Sequence, residues 1–163
     1  MSMSSILLFN KIENPDRIIP GQTLKLYYGN IDDNHSVHPE LVTTDILLSR
    51  PVSNWTLIKS FKSYGEIKNY GLLCNAGKFR IVKSAQDGKV VKIGYLRGYG
   101  RYILIDHGKG WHTLYSNISD EYVKEGDLVK SGSDIGKLKS EIIYFVLSYK
   151  GKPVNPEGYF KRN

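Results

Sequence analysis

Residues 88–156 read GKVVKIGYLRGYGRYILIDHGKGWHTLYSNISDEYVKEGDLVKSGSDIGKLKSEIIYFVLSYKGKPVNP. Val90, Val91 and Ile93 predict a strand, which Gly98 and Gly100 break. Tyr102 to Asp106 is a nearly continuous apolar run, the pattern of a strand buried on both faces. Gly108 and Gly110 predict a tight turn into a strand over Trp111 to Tyr115. Val123 to Gly136 sets Gly and Asp at turn positions with Val, Leu and Ile between them, which predicts a compact hairpin arch. Ile142 to Tyr149 reads as the last strand. Upstream, Phe79 to Ala85 alternates apolar and polar residues, and Asp87-Gly88 is a hairpin turn signal. No long amphipathic helix is evident after residue 50, so the fold class is mainly antiparallel β.

The whole chain agrees with that reading. It has 163 residues, with 16 Gly and 12 Tyr, and 40% of its residues are hydrophobic. That suffices for one packed domain and an appendage. The formal charge of +7 allows anionic partners such as nucleic acid, lipid or cell-wall polymer. No Lys/Arg cluster interleaves with aromatics, so nucleic acid is not indicated. No apolar stretch approaches a membrane span. Cys74 is the only cysteine, which excludes an intrachain disulfide; with Leu72 and Leu73 beside it, it reads as a core residue. Met1 to Phe9 lacks a basic n-region, so an export signal, where one exists, is expected upstream. Met1 to Ser4 reads as a start-site or cloning remnant.

Residues 5–28 carry turn signals at Asn14-Pro15-Asp16 and Pro20-Gly21. Asn10, Ile12, Asn14, Pro15, Ile18, Gly21, Gln22, Leu24 and Leu26 stand in a pattern that resembles the second half of a LysM peptidoglycan-binding module. A short α+β remnant is therefore expected there. Residues 29–49 read as a linker and a lead-in strand at Ile46 to Leu48. His35 and His38 in that linker read as exposed polar residues.

Residues 50–160 resemble the LytM, or lysostaphin-type, zinc endopeptidase domain. The resemblance rests on Pro51-Val52, Arg97-Gly98-Tyr99-Gly100, Leu114-Tyr115, Gly126-Asp127, Gly132, Ile135-Gly136 and Gly151 to Pro156. It implies a sandwich-like core of the duplicated-hybrid-motif kind. A hydrolytic zinc needs three protein ligands and an open position for water. In the family, two ligands come from an H-x-G-x-D-like motif, and here Asn69-Tyr70-Gly71-Leu72-Leu73 stands in that place. The third ligand and one base come from an H-x-H strand, and here Ile142-Ile143-Tyr144 stands there. A further base is replaced by Asn117. Between Gly136 and Ile142 the loop before that strand is shorter than in active members.

The resemblance therefore implies a degenerate domain with no catalytic residue, no metal and no cofactor. It is nearest in style to the inactive LytM proteins of the EnvC and NlpD type, which switch on cell-wall amidases during division. The expected function is binding and regulation of such an amidase, or of another envelope protein, in a periplasmic or extracytoplasmic setting. Asn69, Tyr70, Leu73, Asn117, Ile142 and Tyr144 would line the vacated groove. Alternatives stay open: a peptidoglycan-binding scaffold, half of a channel pairing as in SpoIIQ-type proteins, or a zinc endopeptidase with atypical ligands. His107 reads as a turn cap and His112 as an exposed residue or a partner of Asp106. Asp106, Asp120, Asp127 and Asp134 read as turn residues. The V-x-E-G-D run also occurs in biotinyl and lipoyl carriers, but the Lys-bearing tripeptide those need is absent.

Overall fold

The computed structural model describes residues 46–62 and 69–161. The stretch that resembles LysM, together with His35 and His38, lies outside the described residues. Ten strands follow in order: β1 (Thr56–Lys59), β2 (Leu72–Asn75), β3 (Ile81–Lys83), β4 (Gly88–Leu96), β5 (Gly100–Gly108), β6 (Trp111–Glu121), β7 (Leu128–Val129), β8 (Asp134–Leu138), β9 (Ile142–Tyr149) and β10 (Lys152–Val154). A short 3-10 helix, Pro156–Tyr159, closes the described chain, with Asn155 Oδ1 accepting from Glu157 N. All pairings between these strands are antiparallel, in the order β1-β2-β9-β6-β5-β4-β7, with β10 on β9 and β3-β8 branching from β6.

Two-residue alternation sorts the side chains of the central strands onto two faces. Ile103 and Ile105 of β5, Tyr115 of β6, and Ile143, Phe145 and Leu147 of β9 join the main core. Val82, Ile135, Leu138 and Val129 from the shorter strands complete that core. Tyr102, Leu114, Tyr144 and Val146 point the other way and form a second apolar cluster with Leu73, Leu104 and Tyr99. Both faces of β5 and β9 are therefore apolar, as the unbroken run at Tyr102 to Asp106 predicts.

Long β6 serves two neighbours in succession. Trp111 to Tyr115 pair with β9, and Ile118 to Glu121 pair with β8, while β5 runs along its other side. The hand-over falls at Asn117, whose φ of 63° is left-handed. Asn tolerates that conformation better than most residues.

Three sequence expectations are corrected. Asp87-Gly88 does not close a hairpin, because β3 pairs with β8 and β4 with β5. Gly88 is needed for a different reason: a Cβ there would lie 2.5 Å from the Asp106 carbonyl oxygen. Val123 to Gly136 forms an arch without a hairpin. Its first half is seated on β4 through Val90 N to Asp127 O (2.9 Å), and its second half on the β3 side through Ser84 N to Ser133 O (2.9 Å). Ile46 to Leu48 is no strand. Leu48 makes one parallel bridge to Phe160, held by Leu48 N donating to Tyr159 O and Lys161 N donating to Leu48 O. Cys74 is buried, and burial pushes its thiol up to about 12, as an inert core residue requires.

His107 is structural but does not cap the Gly108–Gly110 turn, where Asp106 accepts from Gly108 N; its ring ties β5 to Asp87 and to β6 instead. Its Nδ1 donates to the Asp87 carbonyl at 2.7 Å, and its Nε2 lies 2.7 Å from Thr113 Oγ1. Thr113 Oγ1 is in turn 2.9 Å from the buried Tyr115 hydroxyl, which accepts from Ala85 N at 2.8 Å. Burial pushes the His107 imidazole below its ordinary value; the Asp87 hydrogen bond opposes this, and nearby His112 reinforces it. The unfolded ring therefore takes a proton near pH ~6.5 while the folded ring stays neutral to lower pH. Stability should fall as pH drops below the ordinary imidazole range. Thermal melts between neutral and mildly acidic pH should show that slope, and His107→Gln should flatten it.

Candidate functional site

A cleft of about 830 Å³ opens on the face that carries the second apolar cluster. β2 supplies Leu73, β9 supplies Ile142 and Tyr144, and β6 supplies Ser116 to Ser119. The turn between β4 and β5 supplies Gly98, Tyr99 and Gly100, with Tyr95 and Arg101 on either side, and Lys139 stands at the opposite rim. Leu73 and Tyr144 are cross-strand partners, so they sit side by side on the floor.

Tyr144 is the centre of that floor. Its ring stacks on Tyr99 with centroids 4.4 Å apart and planes 28° from parallel. Its other flank lies over Gly71, where a Cβ would come within 2.9 Å of the ring and 2.5 Å of the Phe145 carbonyl oxygen. Gly71 is thus a close-approach glycine. Burial pushes the Tyr144 phenol well above its ordinary value, Tyr99 adds to the rise, and a hydrogen bond from the Tyr70 backbone offsets part of it. The hydroxyl is therefore protonated at any physiological pH.

Asn117 holds the end of the cleft. Its Nδ2 donates to Ser140 Oγ (2.7 Å) and to the Ile142 carbonyl (2.6 Å). Its backbone N–H donates to Tyr99 O at 2.9 Å, and its carbonyl accepts from Lys139 N at 2.7 Å. One residue thereby ties the β4–β5 turn, the split in β6 and the three-residue link from β8 to β9. Asn117→Ala should cost about 2–3 kcal/mol, from lost side-chain bonds and a left-handed backbone without glycine. Asn117→Gly should recover the backbone part only, and urea unfolding of the pair separates the two contributions.

Asn69 does not line the cleft. It is buried, its Nδ2 donates to Ser60 O (2.7 Å) and Gly71 O (2.8 Å), and its backbone exchanges two hydrogen bonds with Lys62. Tyr70 is also absent from the lining. The structure thus brings Leu73, Asn117, Ile142 and Tyr144 together and leaves Asn69 and Tyr70 beside them. Tyr95, Tyr99, Arg101 and Lys139 are additions that sequence reasoning missed. The Arg97 to Gly100 turn carried a signal for Tyr99, since it was recognisable as a motif; nothing in the sequence marked Lys139.

His107 and His112 stand on the far part of the sheet and are not in this cleft. His112 faces Asp106, with Nε2 to Oδ1 at 3.8 Å. Asp106 and Asp127 take the turn duty expected of them, accepting from Gly108 N (2.7 Å) and Lys124 N (2.9 Å). Among the described residues, no three His, Cys, Asp or Glu side chains gather closely enough to share a metal. No helix among them is long and apolar enough to cross a membrane.

An antiparallel sheet with a cleft bordered by this tyrosine turn is the architecture of a LytM-type peptidase domain. Residues 68–156 match peptidase family M23, and the chain belongs to that family. It is 34% identical over 122 residues to "Murein hydrolase activator NlpD" of Escherichia coli K12, covering 68% of this chain and 32% of NlpD. It is 31% identical over 104 residues to "Murein hydrolase activator EnvC" of the same strain, covering 60% of this chain and 25% of EnvC. Among solved structures, Helicobacter pylori Csd3 is similar at a TM-score of 0.66 and 29% identity, over 72% of this chain and 36% of Csd3. The chain thus spans roughly a quarter to a third of the length of these relatives.

Proposed function

We propose that this chain is a non-catalytic cell-envelope protein whose M23 domain binds and regulates a peptidoglycan amidase. The observation that carries this reading is what occupies each place where the family resemblance puts a ligand or base. Asn69 is a backbone staple, Leu73 and Ile142 are apolar lining, Asn117 is a strand tie, and Tyr144 is a stacked, neutral floor. This donor set does not fit a zinc ion, which takes thiolate, imidazole or carboxylate. Without three such ligands there is no means here to bring a metal-bound water to a pKa near ~7. The cleft keeps its shape through packing and hydrogen bonds, and it presents aromatic area suited to a protein partner.

Similarity to the two murein hydrolase activators supports the partner class and an extracytoplasmic location. The test is direct. The purified chain should stimulate its cognate amidase on peptidoglycan, should release no peptide ends by itself, and should carry well under one zinc per chain. Peptide-bond cleavage that depends on stoichiometric zinc overturns the reading. A second reading, a peptidoglycan-binding scaffold, is favoured by the +7 charge. Co-sedimentation with peptidoglycan in the absence of any amidase effect would favour it instead.

A further inference from the structure

We propose that the cleft takes a protein segment presenting an apolar side chain with carboxylates beside it. This rests on the docking reading above and adds the chemistry of the occupant. Two observations meet in the lining.

The first is that the Ser116, Asn117 and Ser119 side chains in the lining are engaged internally. The Asn117 amide serves Ser140 and Ile142, and the Ser119 hydroxyl serves the Asp120 carboxylate (2.7 Å) and the Lys137 carbonyl (3.2 Å). Ser116 Oγ accepts from Tyr144 N at 3.2 Å and is almost wholly buried. A glycan needs an open array of donors and acceptors for its hydroxyls, because polar groups left unpaired on binding are costly. This floor offers Leu73, Ile142 and the Tyr99–Tyr144 stack instead. Such a surface rewards an apolar anchor.

The second is the sign of the rim. Arg101 and Lys139 are in the lining, and no Asp or Glu is. Glu121 forms an ion pair with Arg101 Nε from outside the lining and is mostly buried, while the Arg101 side chain stays 55% exposed. That pair orients the Arg101 side chain, more than half of which stays exposed. Lys139 is exposed, with its backbone tied to Asn117. Cations around an apolar floor set the orientation of an incoming segment and its rate of encounter more than its affinity.

The experiment uses the full chain and two short fluorescent peptides that share one Leu/Phe core. One carries Glu beside the core and the other carries Lys. Anisotropy should show the Glu peptide binding about tenfold tighter, with affinity falling as salt screens the rim. Lys139→Glu, on an exposed link, should remove most of that preference. Equal binding of the two peptides, preference for the Lys peptide, no binding of either, or displacement by a disaccharide-tetrapeptide muropeptide overturns the proposal. The same protein is assayed for amidase stimulation. Stimulation without peptide preference sinks only the occupant's chemistry; loss of stimulation as well sinks the docking reading.

Discussion

Phe145→Ala should lower the free energy of unfolding by about 3–5 kcal/mol, the usual cost of deleting a buried aromatic ring. Phe145 is fully buried and meets three rings: Tyr115 at 5.4 Å, Phe160 at 5.8 Å and Trp55 at 5.9 Å. Those rings come from β6, the C-terminal bridge and the segment before β1, so the cavity would loosen three parts of the domain. They sit on different backbones and cannot collapse together into the space. Phe145→Leu, which keeps most of the volume, should cost about 1.5 kcal/mol or less. Phe79→Ala should stay within about 0.5 kcal/mol, because Phe79 is 55% exposed. Urea unfolding of the three variants checks the order. Similar losses at Phe145 and Phe79 would contradict the packing described above.

Tyr144→Ala should cut amidase stimulation, read as the half-saturating concentration of this chain, by about thirtyfold or more, as removal of a central aromatic anchor does. The change removes the floor, uncovers Gly71 and leaves Tyr99 without its stacking partner. Tyr144→Phe is the control. It keeps the ring that stacks on Tyr99, so the Phe variant should stay within about threefold of the parent. Circular dichroism separates a lost contact from a lost fold. If both variants stimulate normally, the partner docks elsewhere.

Much of the fold is written in local pattern. The apolar runs from Tyr102 to Asp106 and from Ile142 to Tyr149 identify central strands because both of their faces are apolar. Glycines at 98, 100, 108 and 110 mark where the chain turns. Pairing of the shorter strands is not written there. β3 and β7 span 3 and 2 residues, too few for their own pattern to choose a neighbour, and contacts across the core make the choice. That is why Asp87-Gly88, which has a hairpin's composition, serves a close backbone approach. The same limit applies to the cleft. A motif match picks out Leu73, Asn117, Ile142 and Tyr144, which line one cleft because each stands at a fixed register on a strand. It misplaces Asn69, whose short amide reaches backbone carbonyls and turns away from the cleft. It passes over Lys139, which is brought to the rim only by the brief link after β8.

The hand-over of β6 from β9 to β8 at Asn117 has one more consequence. The cleft proposed for docking lies along a seam in the sheet itself, laced by main-chain bonds. A visiting chain would meet strands already tied to one another. Whatever entropy the encounter costs would then fall on the visitor, and a visitor already shaped before contact would bind more tightly than the same sequence as a floppy peptide.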